Sequence, residues 1–122
     1  MKGNKSPIFV RGQISKQAES RFKARVRKDL EGLNNCYFFK VQQVALRGIP
    51  DFIICLSGRF VALELKRSEK ERPDPLQQWT LDAIANAGGI SFIANPTNWF
   101  DTLDVLKHLS EMEVEGDMNV HH

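Results

Sequence analysis

Cysteine is scarce in this 122-residue chain, which holds two, and so is tyrosine, of which there is one. Cys36 and Cys55 each sit inside an apolar run without partner spacing. That reads against a disulfide framework and against a thiolate zinc site, and both are expected as reduced core residues. No apolar run approaches the roughly 20 residues of a membrane-spanning helix, so no membrane is expected as a partner. The basic N-terminus lacks the apolar stretch of a signal peptide. There is no internal repeat and no low-complexity segment. What is present is ordinary for one globular domain: 42% hydrophobic and 26% charged residues, enough for a modest core and too apolar for wholesale disorder.

Charge is unevenly spread. Residues 1–47 hold 11 Lys/Arg against 3 acids, and the remainder holds 6 against 12, so a net charge of +2 hides a basic first part and an acidic second. Such asymmetry fits either a solvated helix face or a surface for a polyanion.

Taken in order, residues 1–14 read as an N-terminal arm, with Ile8, Phe9 and Val10 apolar enough to pack on the domain or on a second subunit. Ser15 is placed to cap a helix that runs to about Glu31. Its apolar stripe is Ala18, Phe22, Val26, Leu30 and Leu33, and Lys16, Arg21, Lys23, Arg25, Arg27 and Lys28 cover the rest. Glu19 lies beside that stripe, where it can favour the helix N-terminus or reach into a neighbouring site. Cys36–Val44 reads as a strand, Arg47-Gly48-Ile49-Pro50 as a connection, and Phe52–Leu56 as a short central strand. Ser57-Gly58 marks a hairpin turn into a strand over Phe60–Lys66. Asp74 and Pro75 open a helix to Asn86 with a stripe of Leu76, Trp79, Ala83, Ile84 and Ala87. Ile90–Ala94 is a further strand. A last helix, packed by Trp99, Phe100, Leu103, Leu106, Leu109 and Met112, runs from near Asn98 or Asp101 to about Glu113. A frayed tail, 114–122, follows the domain proper, 15–113. This order predicts an α/β fold around a small mixed sheet flanked by helices.

The stretch from Gly48 to Lys66, GIPDFIICLSGRFVALELK, carries the chemistry. In an extended strand Val61, Leu63 and Leu65 share one face while Ala62, Glu64 and Lys66 share the other. The hairpin can bring Asp51, at the mouth of the preceding strand, near Glu64. Carboxylates inside apolar strands call for a charge partner or a metal. Asp51 and Glu64 are hard oxygen ligands suited to Mg²⁺ or Mn²⁺, with the backbone carbonyl of Leu65 as a third. Lys66 beside them can orient a water and stabilise developing charge. That set suits phosphodiester hydrolysis. The plain alternative is a turn-capping Asp51 and an exposed same-strand ion pair.

Pro50-Asp51 followed by Glu64-Leu65-Lys66 resembles the PD-(D/E)XK nuclease superfamily. The longer pattern adds Arg47-Gly48-Ile49 before it and Pro75-Leu76-Gln77, in a helix ending at Gly88-Gly89, after it. In that form it is similar to the VRR-NUC (virus-type replication-repair nuclease) domains over roughly Ser15 to Ala94. The resemblance implies a restriction-endonuclease-like core of order αβββαβ plus a C-terminal helix. It implies metal ligation by Asp51 and Glu64, a catalytic Lys66, a Gln77 (rather than its neighbour Gln78) that positions water or phosphate, and a Glu19 contributed to the metal site by the first helix. It also implies a homodimer acting on four-way or other branched DNA, in the cytoplasm of a bacterial host if the chain is phage-encoded. Arg47, Arg67 and Lys70 flank the site as candidate phosphate contacts, with Arg21, Arg25 and Lys28 on the basic helix. The rivals are a restriction-like enzyme cutting duplex DNA, a non-catalytic DNA-binding module of the same fold, and a basic assembly protein.

Overall fold

The computed structural model describes residues 11–42 and 47–115. Within them, α1 (Arg11–Glu31) precedes β1 (Cys36–Lys40), β2 (Phe52–Leu56) and β3 (Arg59–Leu65). Then come α2 (Pro75–Asn86), β4 (Ile90–Ala94) and α3 (Trp99–Ser110). The four strands form one sheet in the order β1-β2-β3-β4. The first three are antiparallel neighbours and β4 lies parallel to β3. The parallel pair follows from its connection, because α2 supplies the crossover that a parallel return requires. The fold is therefore mixed α/β, in the order the sequence predicts.

The β2–β3 hairpin closes on Ser57 and Gly58 at φ 53 and 79°, a two-residue turn of the primed kind, with Leu56 opposite Arg59. Ser57 tolerates this left-handed backbone because it is anchored: its hydroxyl donates to the Ser110 carbonyl at 2.8 Å. The turn sets the register, which pairs Phe52 with Leu63 and Ile54 with Val61. These four, with Leu56 and Leu65, face Phe22, Val26 and Leu30 of α1 and Trp99 and Leu106 of α3 in one buried cluster. The Trp99 ring meets Phe22 edge-on at 6.3 Å and its Nε1 donates to Asp29 at 2.8 Å, so its polar end is satisfied. α2 covers the opposite face, but only toward β4, where Ser91 donates to the Leu81 carbonyl at 2.8 Å and pairs with Ala62. Among the described residues no element covers the β1–β2 half of that second face or the turn end of β3 beside it. Tyr37 is 73% exposed, Phe39 51% and Phe60 50%.

Several expectations are corrected. α1 is already helical at Arg11, so Ser15 lies within it rather than capping it, and the expected arm is helical over 11–14. A possible cap residue acts as one only where the preceding chain is not already helical. Residues 1–10, with Ile8, Phe9 and Val10, lie outside the described residues. β1 stops at Lys40; Val41 still donates to the Asp51 carbonyl at 2.8 Å, and Gln43 and Val44 lie outside the described residues. β3 spans Arg59–Leu65, so Lys66 falls just beyond it. Cys55 is exposed and not a core residue, because it projects onto the open half of the second face. In α2 the stripe fails: Trp79 is 67% and Leu76 45% exposed, Ala87 is exposed, and Leu81 is the buried position. A helix that overlies one end of a sheet presents a narrow line to it, and an apolar count at helical spacing cannot fix which line. Ala18, Phe100 and Met112 are likewise exposed. α3 ends at Ser110, short of Glu113. Glu115 of the expected frayed tail donates from its backbone to the Ser57 carbonyl at 2.9 Å and pairs with Arg59 at 3.3 Å; residues 116–122 lie outside the described residues.

Candidate active site

Antiparallel register builds the site. Phe52 pairs with Leu63, so the next step outward sets Asp51 across from Glu64. The Asp51 carboxylate accepts a hydrogen bond from the Leu65 backbone N–H at 2.7 Å, which ties the mouth of β2 to the end of β3. Within a strand a residue's N–H and C=O point to the same side, so the Leu65 carbonyl is directed toward Asp51 as well. Glu64 is only 3% exposed. Lys66 follows on the same face, its side chain 12% exposed, with Nζ 3.3 Å from a Glu64 carboxylate oxygen. Lys66 Nζ also donates to Gln77 Oε1 at 2.9 Å.

Gln77 is held from the other side by its helix. Asp74 caps α2 by accepting from the Gln77 N–H at 2.9 Å, and Gln77 Oε1 accepts from the Asp74 N–H at 3.0 Å. This reciprocal capping box fixes both the helix start and the glutamine rotamer. Gln78, the other glutamine considered, turns away to Asp82 at 2.9 Å. One chain of contacts therefore runs from Glu64 through Lys66 to Gln77, with Asp51 beside Glu64.

Electrostatics sharpen the arrangement. Burial pushes the Glu64 carboxyl up to about 7; the Asp51 carboxylate adds to the push and Lys66 pulls against it. Two carboxylates share a shielded place with a single ammonium. A divalent cation would relieve that repulsion, and hard oxygens are the donors Mg²⁺ or Mn²⁺ takes, with waters and phosphate completing the shell. On donor chemistry, Asp51, Glu64 and the Leu65 carbonyl fit such an ion. Among the described residues no group of three or more His, Cys, Asp and Glu side chains converges, so the protein's share would be two carboxylates and a carbonyl.

Glu19 does not join this group. α1 packs on the face of Leu63 and Leu65, whereas Glu64 and Lys66 project toward α2. Glu19 instead pairs with Lys23 at 3.5 Å and lines a cleft with Phe22, Arg67, Glu71 and Pro96. Arg67 lies there in an ion pair with Glu71 at 3.4 Å. The Arg67 backbone N–H, donating to Glu71 at 2.6 Å, holds the Glu71 carboxyl below its usual range. Arg25 is spent partly on Asp29, at 4.0 Å. Arg21, Lys28, Arg47 and Lys70 are exposed.

Lys40 and Arg27 were not among the candidate site residues. Both line clefts between α1 and β1. Lys40 closes the aromatic run CYFFK, and strand alternation places it on the α1 side, a signal that was readable. Compared with known protein families, with curated proteins and with solved structures, the chain matches none.

Proposed function

We propose that this chain is a metal-dependent, structure-selective DNA endonuclease that hydrolyses phosphodiester bonds in four-way or other branched DNA. We further propose that its mixed α/β fold is of the restriction-endonuclease-like kind. The observation that carries the reading is the contact chain Asp51, Glu64, Lys66 and Gln77 at the shielded end of an apolar hairpin. A lysine at 12% exposure and a glutamate at 3% are costly to keep for stability alone.

In this reading Asp51, Glu64 and the Leu65 carbonyl hold one Mg²⁺ or Mn²⁺. When bound, that ion supplies Lewis acidity and an orienting charge at the phosphate. The chain's own groups do the rest. Lys66, steered by Gln77, presents its ammonium toward the scissile phosphate and stabilises charge growing on its oxygens. Gln77 fixes the position of Lys66 through Oε1. The Asp51–Leu65 hydrogen bond keeps the two carboxylates in register. The basic first part of the chain supplies phosphate contacts that position DNA without reading its sequence. A homodimer would set two such sites on opposed strands of a junction, and the cytoplasm is the compartment where DNA is met.

The test is cleavage of linear duplex, single-stranded, flap and four-way-junction DNA with Mg²⁺, Mn²⁺ or EDTA. Metal-dependent cutting of branched substrates is expected, lost on Asp51→Ala and reduced about 100- to 1,000-fold on Lys66→Ala. No cutting under any metal, or mutants that cut like the wild type, would overturn the assignment. Equal cutting of linear duplex would remove the branched-DNA preference and leave the duplex-cutting rival.

A further inference from the structure

The open half of the second sheet face has no role in the contacts described above. Strand register puts Tyr37, Cys55 and Phe60 in one row across β1, β2 and β3, and Phe39, Ile53 and Ala62 in the next. Asp51 and Glu64 belong to the same face one row further on. Phe39 therefore lies roughly 8 Å from Asp51 in the sheet lattice. Three rings at 50% exposure or more on one sheet face are unusual unless something covers them.

The edge of β1 beside those rings is strongly basic. A cleft of about 510 Å³ wraps it, lined by Arg27 of α1 and by Tyr37, Phe39 and Lys40 among others. A second cleft of about 370 Å³ continues along α1 past Lys23, Lys28 and Lys40 to Phe52, the residue after Asp51. Among the described residues, Arg27, Lys28 and Lys40 form no ion pair, while Lys23 pairs with Glu19; Glu31 is the one acid lining these clefts. Cations thus lie on one side of the β1 edge and aromatic rings on the other.

We propose that this face binds an unpaired DNA strand and leads it to the carboxylates. The phosphates follow the cations along the β1 edge, and successive bases fold over the edge to stack on Tyr37 and Phe39, with Phe60 extending the platform. Only a single strand has bases free to stack in this way; paired bases are stacked on one another and cannot turn out. A four-stranded sheet with exposed aromatics is a sequence-tolerant platform of this type. Charge complementarity favours DNA over a second copy of the chain, whose corresponding edge would bring the same cations together. The proposal rests on the nuclease reading for what happens at Asp51, and it narrows the substrate to DNA with an unpaired strand next to the cut.

The experiment is fluorescence anisotropy in EDTA with a labelled short oligothymidylate and a blunt duplex of equal length, so that binding is read without any metal or cleavage. Tyr37→Ala, Phe39→Ala and the bulk-preserving Phe39→Leu are expected to weaken single-strand binding about 5- to 100-fold each, with duplex affinity unchanged. Lys40→Ala should lower the salt slope for the single strand by about 0.7. Ring variants that hold the single strand as tightly as the wild type, or that lose both probes alike, would overturn the proposal. So would a wild-type dimer in light scattering that Tyr37→Ala makes monomeric, because the rings would then be covered by a second copy. A chain that cleaves with metal but binds no single strand refutes this inference and leaves the nuclease reading. A chain that binds the single strand but never cleaves supports the platform and removes the nuclease reading.

Discussion

On one face of β3, Val61, Leu63 and Leu65 meet the apolar stripe of α1 and the Trp99 end of α3. On the other, Ala62 gives way to Glu64, and Lys66 follows just past the strand. From Val61 to Leu65 both faces are buried, yet one is hydrocarbon while the other holds Glu64 beside Asp51 and Lys66. The difference teaches how a small domain divides its work. The first face supplies the stability that the second spends, since a buried charged group is tolerated only where neighbouring burial offsets its desolvation. Truncating Leu63 on the first face and neutralising Glu64 on the second should therefore move stability in opposite directions.

The largest stability effect belongs to the hydrocarbon face. Leu63 is fully buried at the centre of the cluster, and Leu63→Ala is expected to cost about 2–5 kcal/mol in urea unfolding. A cost below about 1 kcal/mol would mean that this face is not the main core.

Next is the charged face, through pH. The Glu64 carboxyl, raised to about 7 from an ordinary 4.5, binds a proton in the folded chain over a pH range where the unfolded chain has released it. Stability from this group is present at low pH and lost as pH rises through about 7. Each pH unit of that window is worth about 1.4 kcal/mol, so the full loss by pH 8 is on the order of 3 kcal/mol. Glu64→Gln in metal-free protein should therefore stabilise at pH 8, by about 1–2 kcal/mol because Lys66 loses a partner, and change little at pH 5. Thermal melts across pH check this; a variant less stable than wild type at pH 8 would mean the Lys66 pairing outweighs the burial. Mg²⁺ or Mn²⁺ should raise the melting temperature of the wild type and not of Glu64→Gln.

This comparison was only partly legible in the sequence. The element order was readable because turn chemistry at Ser57-Gly58 and Asp74-Pro75 is local, and strand alternation alone puts Glu64 and Lys66 on one face. What α2 covers was not readable. Trp79 and Cys55 look like core residues by composition, but their exposure depends on the helix reaching only the β3–β4 half of the sheet. The place of Glu19 was not readable for the same reason: helical spacing sets it beside the α1 stripe, and only the packed sheet reveals that α1 and Glu64 lie on different faces. Lys40 and Arg27 come together through the packing of α1 beside β1, a long-range contact that no window of sequence contains.

The smallest effect separates two neighbouring glutamines. Gln77 accepts from both Lys66 and the Asp74 backbone, so Gln77→Ala removes half a capping box and one buried partner of a lysine. That should cost about 1 kcal/mol. In the proposed enzyme it should also lower kcat more than it raises KM, because Lys66 loses its steering and substrate contacts do not change. The Gln78 side chain donates to Asp82 across one exposed helical turn, so Gln78→Ala should shift stability by less than about 0.5 kcal/mol and leave kcat unchanged. Denaturant midpoints and steady-state kinetics on the two variants decide between the roles open to Gln77. If Gln77→Ala loses stability like a cap and keeps kcat, the glutamine serves α2 alone, and the contact chain through Lys66 ends one residue sooner.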